Sequence, residues 1–405
     1  MAEAPAGGVA LVTATLASVV ERHDVIVCAG SGGVGKTTTA ATIALWGAKR
    51  GRRAAVLTID PARRLADSLG LPLSGGAQAI VPAELLRAHG IELSGTLTAM
   101  MLDQKGAWDS LVARHAPSPE TRDRILRNRF YQHLSQSFAG SQEYMAVEEL
   151  SRLRDGGRYD LIVVDTPPSR HALEFLEAPQ RLSDFLDRKI VRWFVKPYVS
   201  AGWSAMRLFN RTAGFVLRAL EEATGVAVLA EISDFFAGMQ GLFDGFGERT
   251  ERVYRALKSP KTAFVLVSSP EEEVLEEAEY LSDKMTALGM PLRAVVFNRV
   301  HEEFTEPIDR ADFPRGDIRG EDQKRVEACL ARSGLGPASL VERLAANFVA
   351  YQDVARGDCM RLEMFAAGLP RQVPIVRVPN FSTDLHDLGG LARLHPYLFG
   401  RSESP

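Results

Sequence analysis

A glycine-rich run ending in Lys-Thr is the part of this sequence whose residue types most clearly carry chemistry. The run consists of Gly30, Ser31, Gly32, Gly33, Val34, Gly35, Lys36 and Thr37. Glycines in such a loop let backbone N–H groups turn inward around phosphate oxygens, and the N-terminus of a following helix adds partial positive charge. The lysine then reaches the β- and γ-phosphates, and the threonine hydroxyl binds Mg²⁺. The loop predicts a site for ATP or ADP with Mg²⁺, in which the neighbouring Thr38 bonds the α-phosphate.

The flanks of this loop decide between a phosphate site and a glycine turn that only caps a helix. An apolar segment precedes the loop and a helical pattern follows it, which is the context that the phosphate-binding motif requires. We therefore interpret the loop as a nucleotide site.

Two aspartates follow apolar segments that are typical of buried strands. Asp60 comes after Val56–Ile59, and Asp165 comes after Leu161–Val164. The carboxyl ends of parallel strands meet at one edge of a sheet, where ligands bind. A single aspartate in this position is more often a turn former or a helix cap. Two of them beside a phosphate loop favour one carboxylate that holds Mg²⁺ through water and a second that orients the attacking water.

Short apolar runs bounded by turn residues predict the elements that position these groups. The runs are Val25–Cys28, Ala54–Ile59, Leu161–Val164, Ala263–Val267, Leu292–Phe297 and Ile375–Val378. Their uninterrupted hydrophobicity indicates strands buried on both faces, as in a parallel sheet. Helical patterns follow several of them, for example Lys36–Lys49 and Glu271–Leu288. We therefore expect an α/β fold with a doubly wound, mainly parallel sheet.

Three long stretches interrupt the alternation of strands and helices. Leu85–Leu153 is predicted to be mostly helical with a break at Pro117 and Pro119, Glu177–Lys258 is helical, and Glu302–Leu369 becomes helical from about Leu344. No repeat or flexible linker separates them from the rest. We expect residues 1–405 to form one P-loop domain whose insertions make a helical subdomain on the sheet.

The insertion Glu177–Lys258 is unusually rich in large apolar side chains at helical spacing. They include Trp203, Met206, Phe209, Val216 and Leu220, and then Leu229, Ile232, Phe236, Met239, Phe243 and Phe246. Flexible Met and Phe side chains suit surfaces that accept varied apolar partners. The stripes are equally consistent with helices that pack on one another and on the sheet, so both interpretations stay open.

Composition narrows the classes of function. The formal net charge is −3, and three cysteines, Cys28, Cys329 and Cys359, lie far apart. The charge gives no reason to expect a nucleic-acid partner, and the cysteine spacing argues against a disulfide framework or a thiolate zinc site. The apolar run Gly8–Val20 lacks the basic start of a signal peptide and predicts a short core helix. No apolar stretch is long enough to span a membrane, so we expect a cytoplasmic protein.

The motifs together resemble a known family, the arsenite-pump ATPases and tail-anchored-protein targeting ATPases. The motifs are the phosphate loop with Thr38, Asp60-Pro61-Ala62, and Asp165-Thr166-Pro167-Pro168-Ser169-Arg170-His171. This family belongs to the SIMIBI class of dimerising P-loop proteins, and the last two motifs favour it over its cousins, the MinD and ParA ATPases. The resemblance covers essentially the whole chain, including the position of the helical insertions.

The resemblance implies roles for individual residues. Asp60 matches the switch I aspartate that positions the hydrolytic water, and Asp165 matches the switch II aspartate near Mg²⁺. Thr166, Pro167 and His171 fall in the segment that senses the γ-phosphate. Asn298, at the end of Val295–Phe297, matches the asparagine that reads adenine, and Pro379 matches the loop beside the base. On the residues alone, an asparagine that ends a strand is usually a turn former.

Three departures from the family pattern limit what the resemblance implies. Ser31 stands where the family carries a lysine that crosses the dimer interface to the other subunit's phosphates. The protein is then either a slow homodimer or one half of a heterodimer with a lysine-type paralogue, an arrangement that some bacterial members resemble. The chain has no Cys-x-x-Cys pair, so no zinc is expected. The cysteine cluster that binds arsenite in the pump ATPases also has no counterpart, so we expect no role in arsenite extrusion.

These considerations predict a dimeric Mg²⁺-ATPase that couples its nucleotide state to a hydrophobic helical client or a membrane-protein partner. Two alternatives stay open at the level of the sequence. One is a partitioning or positioning ATPase of the ParA/MinD kind, and the other is a metabolic kinase or ligase that uses the same loop.

Overall fold

The computed structural model describes residues 15–60, 64–72, 76–137, 141–168, 246–304 and 339–400, together with positions 324, 328 and 332. Eight strands form one sheet within these ranges. The strands are β1 (Val25–Gly30), β2 (Arg53–Thr58), β3 (Gln78–Ile80), β4 (Thr96–Met101), β5 (Leu161–Asp165), β6 (Thr262–Ser268), β7 (Leu292–Val300) and β8 (Ile375–Pro379).

Helices connect the strands in the described part of the chain. They are α1 (Leu16–Arg22), α2 (Lys36–Lys49), α3 (Arg64–Leu69), α4 (Ala83–Arg87), α5 (Gln104–His115), α6 (Pro119–Arg127), α7 (Arg129–Ser137), α8 (Ser141–Asp155), α9 (Phe246–Leu257), α10 (Glu272–Ala287), α11 (Ser339–Ala367) and α12 (Leu388–Phe399). Among the described residues, no helix is both long enough and apolar enough to cross a membrane.

The sheet has the strand order β3-β4-β2-β5-β1-β6-β7-β8, and every pair of neighbours is parallel except β3 with β4. Strand β1 therefore lies near the middle, with β5 on one side and β6 on the other. Its register places Cys28 opposite Asp165 of β5, and β2 in turn places Thr58 opposite Asp165. The carboxyl ends of β1, β2 and β5 consequently meet at one edge of the sheet.

Alternating side chains of β1 enter two different hydrophobic cores. Ile26 and Cys28 pack with α2 and α12 on one face, whereas Val25, Val27 and Ala29 pack with α8 and α9 on the other. Because successive side chains of a strand point to opposite faces, a central strand covered by helices on both sides must be apolar throughout. This explains the uninterrupted hydrophobic runs in the sequence and confirms the predicted doubly wound sheet.

The six predicted strands and the predicted helices Lys36–Lys49 and Glu271–Leu288 are confirmed in outline. Helix α2 spans Lys36–Lys49 as predicted, and α10 is one residue shorter at each end than the predicted Glu271–Leu288. The start of the chain forms α1, whose Leu16, Val19 and Val20 are buried. The prolines at 117 and 119 do mark a break, since α5 ends at His115 and α6 begins at Pro119.

The prediction for Leu85–Leu153 was incomplete because two strands at this side of the sheet were missed. The segment Thr96–Met101 forms β4, and Gln78–Ile80 forms the short edge strand β3, so the continuous helical stretch begins at Gln104. Met and Ala favour helices, and β4 is extended because it pairs with β2 on one side and with β3 on the other. Helix α11 begins at Ser339, about one turn earlier than predicted. Of Glu177–Lys258, only Phe246–Lys258 lies within the described residues, so the apolar stripes remain a prediction.

Candidate functional site

The phosphate loop between β1 and α2 has a backbone that only glycine tolerates at two positions. Gly30 has φ 157°, and a Cβ there would overlap the carbonyl oxygen of Val267 on β6. Gly35 has φ 94°, in the left-handed region, and a Cβ there would overlap the side-chain amide of Asn298. Gly35 also precedes α2 without a capping side chain, so the first-turn amides of α2 are available to an anion.

The ammonium group of Lys36 lies inside this loop. Its Nζ donates a hydrogen bond of 2.6 Å to the carbonyl oxygen of Ser31, and the residue is buried. Burial lowers the pKa of Lys36, while the nearby carboxylates of Asp165 and Asp60 oppose that shift. The loop thus encloses one buried positive charge whose only hydrogen bond within the described residues is to a neutral carbonyl.

Asp165, at the end of β5, is linked to the loop through Thr37. The Thr37 hydroxyl donates to Asp165 Oδ2 at 2.7 Å, and the hydroxyl of Thr58, at the end of β2, donates to the same oxygen at 2.9 Å. The other carboxylate oxygen, Oδ1, is buried and has no hydrogen-bond partner within the described residues. Oδ1 of Asp165 therefore has hydrogen-bonding capacity that no described residue uses.

The charge of Asp165 is held in the structure at a cost in free energy. Burial raises the pKa of Asp165 to about 6, although the hydrogen bonds from Thr37 and Thr58 and the charge of Lys36 act in the opposite direction. Ligand sites commonly contain a carboxylate whose pKa is raised by burial.

Asp60 lies two residues beyond the end of β2 and lines the same cavity. Its side chain is 19% exposed and forms an ion pair of 3.8 Å with Arg64. The backbone N–H of Asp60 donates to the Thr58 hydroxyl at 3.2 Å. The carboxylate of Asp60 therefore lies at the cavity near Lys36. The backbone of Asp60 is held by its hydrogen bond to Thr58, at the end of β2.

Asn298 lies against the phosphate loop. Its Nδ2 donates to the carbonyl oxygen of Val34 at 2.8 Å, and its Oδ1 accepts from the backbone N–H of Arg299 at 3.0 Å. Arg299 has φ 58°, the left-handed conformation, where the pairing of β7 with β8 shifts register. Each polar atom of the Asn298 amide thus has one partner and retains one further donor or acceptor position for a ligand.

A cavity of about 540 Å³ is lined by Lys36, Asp60 and Asn298, whereas the buried Asp165 is not part of its lining. The lining includes Gly33, Gly35, Lys36, Thr37 and Thr38 of the phosphate loop and α2, together with Asp60 and Thr166. It also includes residues of β7, of β8 and of the segment after β8, namely Asn298, Arg299, Pro379, Asn380, Phe381, Asp384 and His386. A volume between 300 and 1,000 Å³ is typical of small-ligand sites. Pro379 is part of this lining, and its contact with a base stays a prediction.

The structure describes all of the remaining predicted site residues except His171. Gly30, Gly32 and Val34 are part of the loop backbone, and Ser31 is buried with a hydroxyl that has no hydrogen-bond partner within the described residues. Thr166 donates to the carbonyl oxygen of Cys28 at 2.8 Å. Pro167 follows it at the edge of the described segment, and His171 lies outside the described residues.

Sequence reasoning missed Thr58 and the loop of residues 380–386. The signal for Thr58 was present, because side chains two apart in an extended segment share a face, and Thr58 is the hydroxyl residue two positions before Asp60. The loop carries no motif. Arg393 on α12 holds it from outside, with a hydrogen bond of 3.0 Å to Thr383 Oγ1 and its guanidinium 5.3 Å from the Phe381 ring centre.

Comparison with known proteins agrees with this geometry. The family model described as anion-transporting ATPase matches residues 23–324. ATPase GET3 of Malassezia globosa is 26% identical over 288 residues, covering 71% of this chain and 76% of the relative. The protein named "Putative arsenical pump-driving ATPase 2" of Aquifex aeolicus is 25% identical over 300 residues, covering 74% and 86%. ATPase ASNA1 homolog 1 of Paramecium tetraurelia is 28% identical over 291 residues, covering 71% and 78%.

The matched region contains the phosphate loop, both strand-end aspartates and Asn298. It also contains seven of the eight strands, since only β8 lies beyond residue 324. Since the family model extends over well more than half of the chain, this protein is an ATPase and belongs to the anion-transporting ATPase family.

Proposed function

We propose that the protein binds ATP with Mg²⁺ in the cavity beside the phosphate loop, hydrolyses it, and uses the nucleotide state to control a dimer that handles a hydrophobic client. The observation that supports this most directly is the contact between Thr37 and Asp165 beside Lys36. Lys36 and Thr37 line the cavity, and the Thr37 hydroxyl links it to the buried carboxylate of Asp165. Together these residues supply the groups that a triphosphate with its metal requires.

The dimensions of the sheet suit a nucleotide laid across it. The order β1-β6-β7 places the end of β7 two strands away from the phosphate loop. At about 4.8 Å per strand the two strand ends lie roughly 10 Å apart, and the Asn298 side chain spans part of that distance to contact Val34 of the loop at 2.8 Å. Lys36 and the first-turn amides of α2 would bind the phosphates, and Asn298 and Pro379 would contact the base.

The donor set near Thr37 fits Mg²⁺. Hydroxyl and carboxylate oxygens are its preferred protein ligands, and it keeps several waters besides phosphate oxygens. Thr37 would bind the ion directly and Asp165 through water, with the unpartnered Oδ1 as the acceptor for that water. When bound, the ion neutralises charge on the phosphate oxygens during transfer to water. That the protein carries no zinc stays a prediction.

Asp60 is the proposed group that orients the attacking water. Its carboxylate lies at the cavity beside Lys36 and Thr166, where it would accept a hydrogen bond from a water aimed at the γ-phosphate. Attack by this water forms the new P–O bond and breaks the bond to ADP, and the proton of the water leaves toward the carboxylate or the phosphate. Thr166, Pro167 and His171 are proposed to sense whether the γ-phosphate is present.

Replacing Asp60 by Asn tests this assignment. Asn keeps the size and one acceptor but is a far weaker base, so we expect hydrolysis to fall by about 100-fold or more while ATP affinity changes by less than about threefold. Phosphate release and calorimetric titration with MgATP measure the two quantities. Unchanged hydrolysis in Asp60→Asn would show that the water is oriented by another group. Absence of any ATP or ADP uptake by the unaltered protein, with metal and any partner subunit present, would overturn the proposed function as a whole.

The proposed assembly is a dimer in which each phosphate loop meets a second chain. Ser31 cannot supply the positive charge that a lysine gives across such an interface, so a homodimer would turn over slowly and a lysine-type partner would accelerate it. Sedimentation of the 44.3 kDa chain with ADP and with a slowly hydrolysed ATP analogue distinguishes the cases. Mass doubling with the analogue supports the homodimer. A monomer without turnover supports the heterodimer, and a monomer with full turnover contradicts both.

The proposed client is a hydrophobic helical segment, which the apolar insertion Glu177–Lys258 would accept. This rests on the Met- and Phe-rich stripes in the sequence. A fluorescent apolar helical peptide should bind more tightly with the ATP analogue than with ADP. Equal binding in both states would leave the stripes as core packing.

A further inference from the structure

Thr58 is the one buried hydroxyl that contacts both aspartate-bearing segments among the described residues. It is the last residue of β2, it is 1% exposed, and it lies directly opposite Asp165 in the strand register. A polar side chain at such a position must use its hydrogen-bonding groups within the protein. The Thr58 hydroxyl makes two such hydrogen bonds.

The Thr58 hydroxyl acts as donor to one aspartate and as acceptor from the other. It donates to Asp165 Oδ2 at 2.9 Å and accepts from the backbone N–H of Asp60 at 3.2 Å. Because a hydroxyl has a single hydrogen, the donation to Asp165 leaves only its lone pairs for the Asp60 N–H, so the two contacts have defined directions. The hydroxyl therefore forms a continuous link from the carboxylate at the end of β5 to the main chain that carries the Asp60 carboxylate.

The link also determines which oxygen of Asp165 remains available. Thr58 and Thr37 both donate to Oδ2, and they hold the carboxylate from the β2 side and from α2. With Oδ2 occupied twice, Oδ1 is the oxygen without a partner in the described part of the chain. Removing the Thr58 hydroxyl would leave Oδ2 with one donor, free the carboxylate to rotate about χ2, and leave the Asp60 N–H without this acceptor.

We propose that Thr58 is a positioning residue for hydrolysis, which fixes the Asp165 carboxylate and the Asp60 backbone relative to each other. The proposal rests on the proposed function, since it assumes that these two aspartates serve metal binding and water orientation. Thr58 itself contacts neither nucleotide nor water in this scheme. Its effect falls on the rate of the chemical step, which depends on the placement of Asp60, more than on nucleotide affinity, which depends on Lys36 and the loop amides.

Two matched pairs of side chains at position 58 separate the effect of the hydroxyl from the effect of side-chain size. Threonine and valine differ by a hydroxyl against a methyl group at the same branch, and serine and alanine differ by the hydroxyl alone. We expect Thr58→Val and Thr58→Ala to lower kcat by about 10- to 100-fold with KM and the Kd for MgADP within about threefold of the unaltered protein. Thr58→Ser should retain kcat to within about threefold, because it keeps the hydroxyl.

The measurements are steady-state hydrolysis by the full chain, with its partner subunit if turnover requires one, and calorimetric titration with MgADP. Thermal unfolding shows which variants fold, and the Ser and Ala pair suffices if Val does not. Thr58→Ala with the kcat of Thr58→Ser would overturn the proposal, as would a Thr58→Ser variant as slow as Thr58→Ala, which would indicate a packing role for the methyl group. Either outcome leaves the proposed function intact, because that fails only if the unaltered protein takes up no nucleotide.

Discussion

The cavity has a proposed phosphate end and a proposed nucleoside end, and the two are built in different ways. At the phosphate end, Lys36, Thr58 and Asp165 are buried. Thr37 of α2 and Thr58 of β2 both donate to Asp165 of β5, and Lys36 donates to Ser31 within the loop. At the end proposed for the nucleoside, Arg299, Asn380 and most of the loop 380–386 are exposed. That loop has hydrogen bonds of 3.0 to 3.5 Å with Arg393 on α12, His301 and Thr38.

The difference follows from what each end has to recognise. A phosphate group with its metal demands fixed charges at fixed distances, and a buried, hydrogen-bonded core supplies them with little reorganisation. A purine base offers a flat apolar surface and a few polar edges, which a partly exposed loop can contact by adjusting. We therefore expect substitutions at the phosphate end to have large effects on function, and substitutions at the nucleoside end to have small ones.

The largest effect should come from Lys36→Ala. The variant removes the buried positive charge and leaves Asp165 and Asp60 without it, so nucleotide affinity should fall by about 30-fold or more and turnover should be lost. Calorimetry with MgATP and phosphate release measure both. Lys36→Arg is the control, since it keeps the charge but not the compact shape of the ammonium group. Near-normal nucleotide affinity in Lys36→Ala would contradict the expectation that substitutions at the phosphate end have the larger effects.

Asp165→Asn should stabilise the nucleotide-free protein while impairing its function. Because burial raises the pKa of Asp165 to about 6, the folded protein binds a proton between about pH 4 and 6 more readily than the unfolded chain does. The contribution of Asp165 to the free energy of unfolding therefore rises as pH falls through 6, and above that pH the buried charge is a cost. Asn carries no charge, so the variant should be more stable at pH 7.5 by about 1 to 3 kcal/mol.

That advantage of Asp165→Asn should narrow toward pH 5, where Asp165 in the unaltered protein becomes protonated. Denaturant titrations of both proteins at pH 7.5 and pH 5 check the sign. A stability gap that stays constant with pH would mean that Asp165 is not a destabilising charge in the folded protein.

Asn298→Ala tests what the nucleoside end recognises. The loss of one neutral hydrogen bond is worth about 1 to 1.5 kcal/mol, which corresponds to about a tenfold weaker affinity for ATP. The control is inorganic triphosphate, which has no base. If Asn298 acts on the base, triphosphate binding should not change. If instead its bond to Val34 braces the phosphate loop, both ligands should bind more weakly, and the division between the two ends would be less sharp.

Arg299→Gly should have the smallest effect, and on stability alone. Arg299 has φ 58°, a conformation that costs a residue with a Cβ about 1 to 2 kcal/mol and that glycine adopts freely. Part of this gain is lost because glycine is more flexible in the unfolded chain, so we expect stabilisation of at most about 1 kcal/mol. Thermal unfolding of Arg299→Gly and Arg299→Ala measures it, and Ala should show no gain. A large fall in ATP affinity in both variants would instead make Arg299 a ligand-binding residue.

Much of the site was predictable because its motifs are local. The glycines lie in one short run with Lys36 and Thr37, and each aspartate directly follows an apolar run. The hydrophobic pattern therefore indicates the strands, and the motifs indicate the sheet edge at which the strands end. Strand β4 was not predictable in the same way. Its Met and Ala residues become extended because β2 offers unpaired backbone groups beside them, and the local sequence does not contain that information.

The amino-acid sequence by itself determined the phosphate loop, six of the eight described strands and the two carboxylates at strand ends, because each depends on residues close together along the chain. Only the tertiary structure decided which groups meet. Thr37 and Thr58 reach Asp165 across 128 and 107 positions of sequence, and Asn298 reaches Val34 across 264. Such contacts arise from the parallel sheet, which brings the ends of distant strands to one edge, and their hydrogen-bond directions depend on register, which no short motif encodes.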